Sequence, residues 1–219
     1  KRAIFQNVEF HWSNLDERDW VRLTQEQFAP QKIANKLWVC PEGMSVDEGG
    51  YVLKINPGLA FGTGTHETTQ LCLEWLCQHD VVDLDIIDYG CGSGILSLAA
   101  LVLGARTLYA VDHDEQALIA SKSNAKLNPF SHQQCLEVMF PDALSADVKV
   151  PLVVANILAR PLRHLIQEFV KRLVPGGLLV MSGLMQQDVD DMRSVYREYF
   201  DEVGVKIKDE WVLMVWKRQ

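Results

Sequence analysis

The chain has 219 residues, 48% apolar and 23% charged, an ordinary balance for a soluble domain able to bury a core, so low-complexity disorder is excluded as its main state. Twenty-nine acidic against 21 basic side chains leave a net charge of −8. That sign argues against a broad nucleic-acid footprint or an anionic membrane surface, and suits a basic protein partner. Cys40, Cys72, Cys77, Cys91 and Cys135 form no CxxC pair and no zinc spacing, which predicts reduced thiols in a cytoplasm and no metal site. No apolar stretch reaches membrane-spanning length, and KRAIFQNVEFHW lacks the apolar core of a signal peptide.

In chain order, residues 19–28 suit a short helix before Pro30. Segments 37–40 and 51–55 read as strands, which predicts a hairpin between them. The glycine-rich loop NPGLAFGTGTHETT, residues 56–69, then runs into a helix bearing Leu71, Leu73, Trp75 and Leu76, with Thr65 or Thr68 as its cap. From residue 81 strands and helices alternate. Strands are predicted at 86–89, 107–111, 135–140, 152–156 and 178–182, with helices at 95–103, 115–127, 162–173 and 187–200. Pro175-Gly176-Gly177 is expected to end the third of these helices. Such alternation gives a mostly parallel sheet covered on both faces. Two final strands near 203–208 and 211–217 have almost no connector, so they require an antiparallel hairpin. The predicted fold is therefore α/β: a Rossmann-like sheet with an antiparallel final strand, the methyltransferase variation on that plan.

Asp88-Tyr89-Gly90-Cys91-Gly92-Ser93-Gly94 lies between a strand and a helix, where glycines let the backbone turn sharply and approach a ligand. Asp112 closes the next strand 22 positions after Gly90, near the ~20-residue interval of a ribose-binding acid. The bland alternative is a tight turn and a solvated strand end. The ligand would be a dinucleotide or S-adenosylmethionine. Ile95 stands where a pyrophosphate loop places its third glycine, and Asp88 would repel a pyrophosphate. Both features favour a ligand carrying an ammonium and a sulfonium.

The 56–69 loop lacks the Lys-Ser/Thr ending of a nucleotide-triphosphate loop. It would serve instead as a lid, with Leu59 and Phe61 walling a dry methyl-transfer channel. Thr69 or Thr68 would bond the donor's amino-acid end. His66 would face the acceptor, or cap the helix. Asn156 ends the fourth strand on the ligand-binding side of an open sheet, where it would orient an amine, hold the donor or act structurally. Asp142 follows the third strand and would meet the adenine amino group, or lie in solvent.

Together, NPGLAFGTGTHETTQLCLEWL, IDYGCGSGILSLAA, AVDHDEQAL and VVANILARPL resemble the bacterial ribosomal protein methyltransferase family PrmA, over roughly residues 18–219. The resemblance implies a class I S-adenosylmethionine-dependent methyltransferase fold with a seven-stranded sheet. It also implies cytoplasmic methylation of large-subunit ribosomal protein eleven, with lysine ε-amines and the N-terminal α-amine trimethylated and S-adenosyl-L-methionine as donor. It carries donor-binding roles onto Thr69, Gly90, Asp112 and Asn156, with Gly92 in the same turn, and makes 56–69 part of the donor and acceptor site. The chain departs from the family at Asn56, usually Asp, and at Glu67, usually Pro. Residues 1–55 are expected to be a linker and short N-terminal extension, and 56–219 the catalytic domain. The family's separate amino-terminal recognition domain is expected to be absent, since only 17 residues precede the recognisable portion.

No Glu/His dyad stands out as a dedicated base. Desolvation, alignment by Asn156 and proton loss to solvent are the expected means of amine methylation. Alternatives are a non-catalytic donor-binding module and a methyltransferase of a small-molecule amine. The Asn-Pro-Pro-aromatic signature of nucleic-acid N-methyltransferases is replaced here by Asn156-Ile157-Leu158-Ala159, so no direct nucleic-acid recognition is expected.

Overall fold

The computed structural model describes residues 29–47, 49–56 and 64–219. The expected helix at 19–28 lies outside them. Strands β1 (Gln31–Ile33) and β2 (Leu37–Pro41) form a hairpin through a turn at Ala34 and Asn35, both at positive φ, with Lys36 N donating to Ile33 O at 2.9 Å. Strand β3 (Tyr51–Ile55) lies parallel to β2, pairing Leu37 with Tyr51 and Pro41 with Ile55. The expected hairpin between 37–40 and 51–55 is thus corrected. Residues 42–50 carry the chain back to the starting end, and the antiparallel partner of β2 is the three-residue β1. This small sheet is part of the main core. Ile33, Leu37, Val39, Leu53 and Ile55 share one apolar cluster with Leu71, Leu76, Leu98 and Leu213.

Helix α1 (Glu67–Gln78) buries Leu71, Cys72, Trp75 and Leu76, a helical period of apolar positions. Alternation then follows: β4 (Asp85–Tyr89), α2 (Ile95–Val102), β5 (Thr107–Val111), α3 (Glu115–Ala125), β6 (Cys135–Met139) and β7 (Val150–Asn156). The expected helix at 162–173 is two helices, α4 (Ala159–His164) and α5 (Ile166–Arg172), broken at Leu165 (φ −89°, ψ 1°). Helix α5 ends before Leu173, so Pro175-Gly176-Gly177 lies inside strand β8 (Leu173–Met185) rather than ending the helix. Helix α6 (Val189–Tyr196) leads to β9 (Phe200–Lys208) and β10 (Trp211–Arg218).

The main sheet runs β6-β5-β4-β7-β8-β10-β9. β10 is antiparallel to both β8 and β9, joined to β9 by a two-residue turn at Asp209 and Glu210. Its alternation is realised literally: Leu213 and Val215 enter the cluster under α1 and α2, while Val212, Met214 and Trp216 enter the cluster under α4, α5 and α6. Strand order reverses at β4, flanked by β5 on one side and β7 on the other. The crevice at the carboxyl ends of β4 and β7 is where open α/β sheets bind ligands.

Candidate active site

The turn after β4 is anchored first by backbone. Gly90 N and Cys91 N both donate to Val111 O, at 2.7 and 3.1 Å. Gly90 has φ +85°, and a Cβ there would come within 2.2 Å of Ile157 Cγ2. Ile157 is pinned from the other side by Gly183 of β8, where a Cβ would fall 2.2 Å from the Ile157 carbonyl oxygen. Two glycines therefore clamp the turn that follows Asn156. The role of Gly183 was not visible in the sequence, where its only signal is a glycine inside a strand pattern.

Asp112 is buried at the end of β5. Its Oδ2 accepts from Gly92 N at 2.9 Å and its Oδ1 from Asp114 N at 3.0 Å. The carboxylate is thus tied directly to the glycine turn, and its remaining lone pairs can take hydroxyl donors. Asp88 is buried beneath the same turn. Its Oδ2 accepts from Ser97 Oγ at 2.6 Å and Ser97 N at 3.0 Å, while Oδ1 has no hydrogen-bond partner among the described residues. Burial pushes the Asp88 carboxyl up to about 6, against the lowering effect of Ser97, with Asp112 adding a further rise. Burial likewise raises the thiols of Cys72 and Cys91, so neither is a ready nucleophile.

On the opposite edge, Asn156 Nδ2 donates to Thr69 Oγ1 at 3.2 Å. This contact joins the end of β7 to the first turn of α1, 87 positions apart. It uses the amide NH2 and leaves the Asn156 carbonyl oxygen as acceptor. Thr69 and Thr68 are both buried, but only Thr69 reaches Asn156. Thr68 is paired with His66: its N–H donates to His66 Nδ1 at 3.3 Å, with its Oγ1 2.9 Å from the same nitrogen. His66, rather than Thr65 or Thr68, is therefore the cap of α1. Its Nδ1 thereby satisfies one of the helix's first N–H groups.

Asp142 lies exposed in a short 3-10 turn, Pro141–Ala143, at the carboxyl end of β6. No contact brings it to Asp112 among the described residues. Leu59 and Phe61 fall outside the described residues. Two residues not anticipated for the site stand on this edge. Leu158, directly after the Asn156-Ile157 pair, is 69% exposed. Trp211 opens β10 opposite Met185 and meets the His66 ring edge-on at 4.8 Å. The exposed leucine carried a signal, an apolar residue just past a polar strand end. Trp211 read only as one position in the β10 alternation.

No group of metal-ligating side chains is found among the described residues. A ligand bearing a ribose, an ammonium and a sulfonium fits the chemistry present. Asp112 supplies a fixed carboxylate, Asp88 a buried oxygen with no partner among the described residues, and Gly90 a backbone without a side chain.

The seven-stranded sheet with inserted antiparallel β10, and the crevice beside its glycine turn, define a class I S-adenosylmethionine-dependent methyltransferase. The sequence profile of the ribosomal protein L11 methyltransferase family, PrmA, matches residues 1–219, and the chain belongs to that family. It is 42% identical over 210 residues to the ribosomal protein L11 methyltransferase of Shewanella halifaxensis, covering 95% of this chain and 71% of that protein. The crystal structure of ribosomal protein L11 methylase from Lactobacillus delbrueckii subsp. bulgaricus superposes with a TM-score of 0.73 at 30% identity, over 84% of this chain and 95% of the other. The Thermus thermophilus 16S rRNA N2 G1207 methyltransferase in complex with AdoMet and guanosine shares the fold at 18% identity and a TM-score of 0.59, over 73% of this chain and 45% of that one.

Proposed function

We infer that this chain transfers methyl groups from S-adenosyl-L-methionine to amino groups of ribosomal protein L11, lysine ε-amines and the N-terminal α-amine, as far as the trimethyl stage. The observation that carries the reading is the Asn156–Thr69 contact facing the Asp112-tied glycine turn, in a chain matched by the family from end to end. The net charge of −8 suits a basic ribosomal protein. The reading places the protein in the cytoplasm, in keeping with its five unpaired cysteines. Residues 56–219 carry its catalytic chemistry, on a core that the small sheet of residues 31–55 shares.

Bound in the crevice, the donor supplies an activated methyl carbon whose leaving group is a neutral thioether. Asp112 holds the ribose hydroxyls. Asp88, ionised, compensates positive charge near the turn. Asp142 takes the adenine amino group, and Leu59 with Phe61 excludes water from the path of the amine. The attacking nitrogen must be neutral. For a lysine with reference pKa ≈10.4, deprotonation at pH 7 costs roughly 4–5 kcal/mol, against about 1 kcal/mol for an α-amine. An apolar approach lowers the lysine cost by disfavouring its charged form. Asn156, held at fixed height by Thr69, accepts an N–H of the amine through its carbonyl oxygen and aligns the lone pair in the first two transfers; the neutral dimethylamine has no N–H, so in the third only the shape of the approach aligns it. The proton leaves to solvent.

The test is incubation of the chain with methyl-labelled donor and purified ribosomal protein L11. Label on lysine and the N-terminal amine is expected. Label confined to small amines would favour the small-molecule reading. Donor binding without transfer to any amine would favour a binding module.

A further inference from the structure

Helix α3 turns three polar side chains inward: Ser121, Asn124 and, just past the helix end, Asn128, all buried. A buried amide is tolerated only when its donors and acceptors are matched. These are matched, and the partners carry information. Ser121 Oγ donates to Gly92 O at 2.9 Å, and Asn124 Nδ2 donates to Ser93 O at 2.9 Å. Two successive carbonyls of the glycine turn are therefore drawn into α3. Because each peptide is planar and trans, the N–H that follows each carbonyl is aimed the opposite way; on the peptide held by Asn124 that is Gly94 N, which donates to Cys91 O at 2.8 Å and closes the glycine turn. The same Asn124 reaches a second element, its Oδ1 accepting from Asn56 N, just past β3, at 2.8 Å. Asn128 makes a reciprocal pair with Lys54, N–H to Oδ1 at 2.8 Å and Nδ2 to carbonyl at 2.8 Å, and donates to Asn124 O at 2.9 Å. Asn128 thus fastens the small sheet to α3, whereas Asn124 fastens both the small sheet and the glycine turn.

We propose that Asn124 is a positioning residue of the donor site, a single buried amide that sets the Ser93 carbonyl and couples the end of β3 to the glycine turn. The inference rests on the reading of that turn as the donor-binding element. It makes donor affinity depend on a side chain of α3, and makes the end of the small sheet respond to donor binding.

Asn128 is the internal control. Among the described residues its side chain makes three hydrogen bonds against two for Asn124, so Asn128→Ala should lower the thermal midpoint at least as much as Asn124→Ala. A purely structural role would move stability alone. In calorimetric titration with S-adenosylhomocysteine, Asn124→Ala should raise Kd by about tenfold and Asn128→Ala by no more than about twofold. Ser121→Ala, which releases the neighbouring carbonyl, should shift Kd in the same direction as Asn124→Ala. Equal Kd changes in the two asparagine variants, or none in either, overturn the proposal. Should Asn124→Ala fail to fold, amide exchange in the unaltered chain decides. S-adenosylhomocysteine should slow exchange at the Asn56 amide while leaving the Lys36 amide of the β1–β2 turn unchanged, and an unresponsive Asn56 amide overturns it. An unaltered chain that binds no S-adenosylhomocysteine overturns the donor-site reading and the inference with it.

Discussion

Around the glycine turn the crevice is held by many bonds to the turn's own backbone: Gly90 and Cys91 donate to the Val111 carbonyl, Gly92 donates to the Asp112 carboxylate, and the Ser121 and Asn124 side chains hold the next carbonyls. Across from it, among the described residues, the end of β7 is joined to α1 by a single side-chain hydrogen bond, Asn156 to Thr69. The first edge spreads its geometry over many bonds, so a single substitution there loosens binding. The second concentrates alignment in one amide, so a single substitution there misdirects chemistry.

The sharpest way to break this contrast is Asn156→Ala. Single-turnover methylation with saturating donor should slow about a hundredfold, the scale set by a small misplacement of reacting atoms, while donor Kd changes far less. A wild-type chemical rate in a folded variant would erase the distinction between the edges. Asp112→Ala should act in the opposite sense, weakening donor binding by roughly 1–3 kcal/mol, as measured by calorimetry.

Asp88 sharpens the comparison through pH. Its raised pKa, about 6, means the unliganded fold favours the protonated acid. That contribution to stability is full below the ordinary carboxyl value and is lost as pH rises through about 6. Asp88→Asn should therefore gain stability relative to the unaltered chain as pH climbs from about 4 to 7, followed as the difference in Tm. A cationic donor favours the ionised form, so donor affinity should rise with pH through about 6 in the unaltered chain and stay flat in Asp88→Asn. The smallest effect is at the cap: His66→Ala should cost about 1 kcal/mol of stability, seen as a modest drop in Tm.

The glycine turn and Asp112 were legible because their signals are local: a strand ending in Gly-x-Gly, a helix starting at once, an acid closing the next strand. The antiparallel β10 was legible from the short spacing between two alternating runs. The pairing of β2 with β3 was not, because parallel or antiparallel pairing depends on the path of residues 42–50, which carry no periodicity. His66 offered a capping role, but only the position of Thr68 shows that its Nδ1 takes it. Asn124 and Asn128 carried no signal, since nothing in a helix's own sequence says whether a polar side chain meets water or a neighbouring carbonyl.

The clamp on Ile157 constrains how this chain's site can drift through substitution. At Gly90 the obstacle to a side chain is the Ile157 methyl group, which a smaller residue at 157 would remove, leaving only the strain of φ +85°. At Gly183 the obstacle is the Ile157 backbone itself, which no replacement at 157 can take away. Position 90 is therefore epistatic with 157, whereas 183 is locked whatever its neighbours become. A paired library should recover methylating Gly90→Ala variants only with Ile157 reduced in size, and no Gly183→Ala variants in any background.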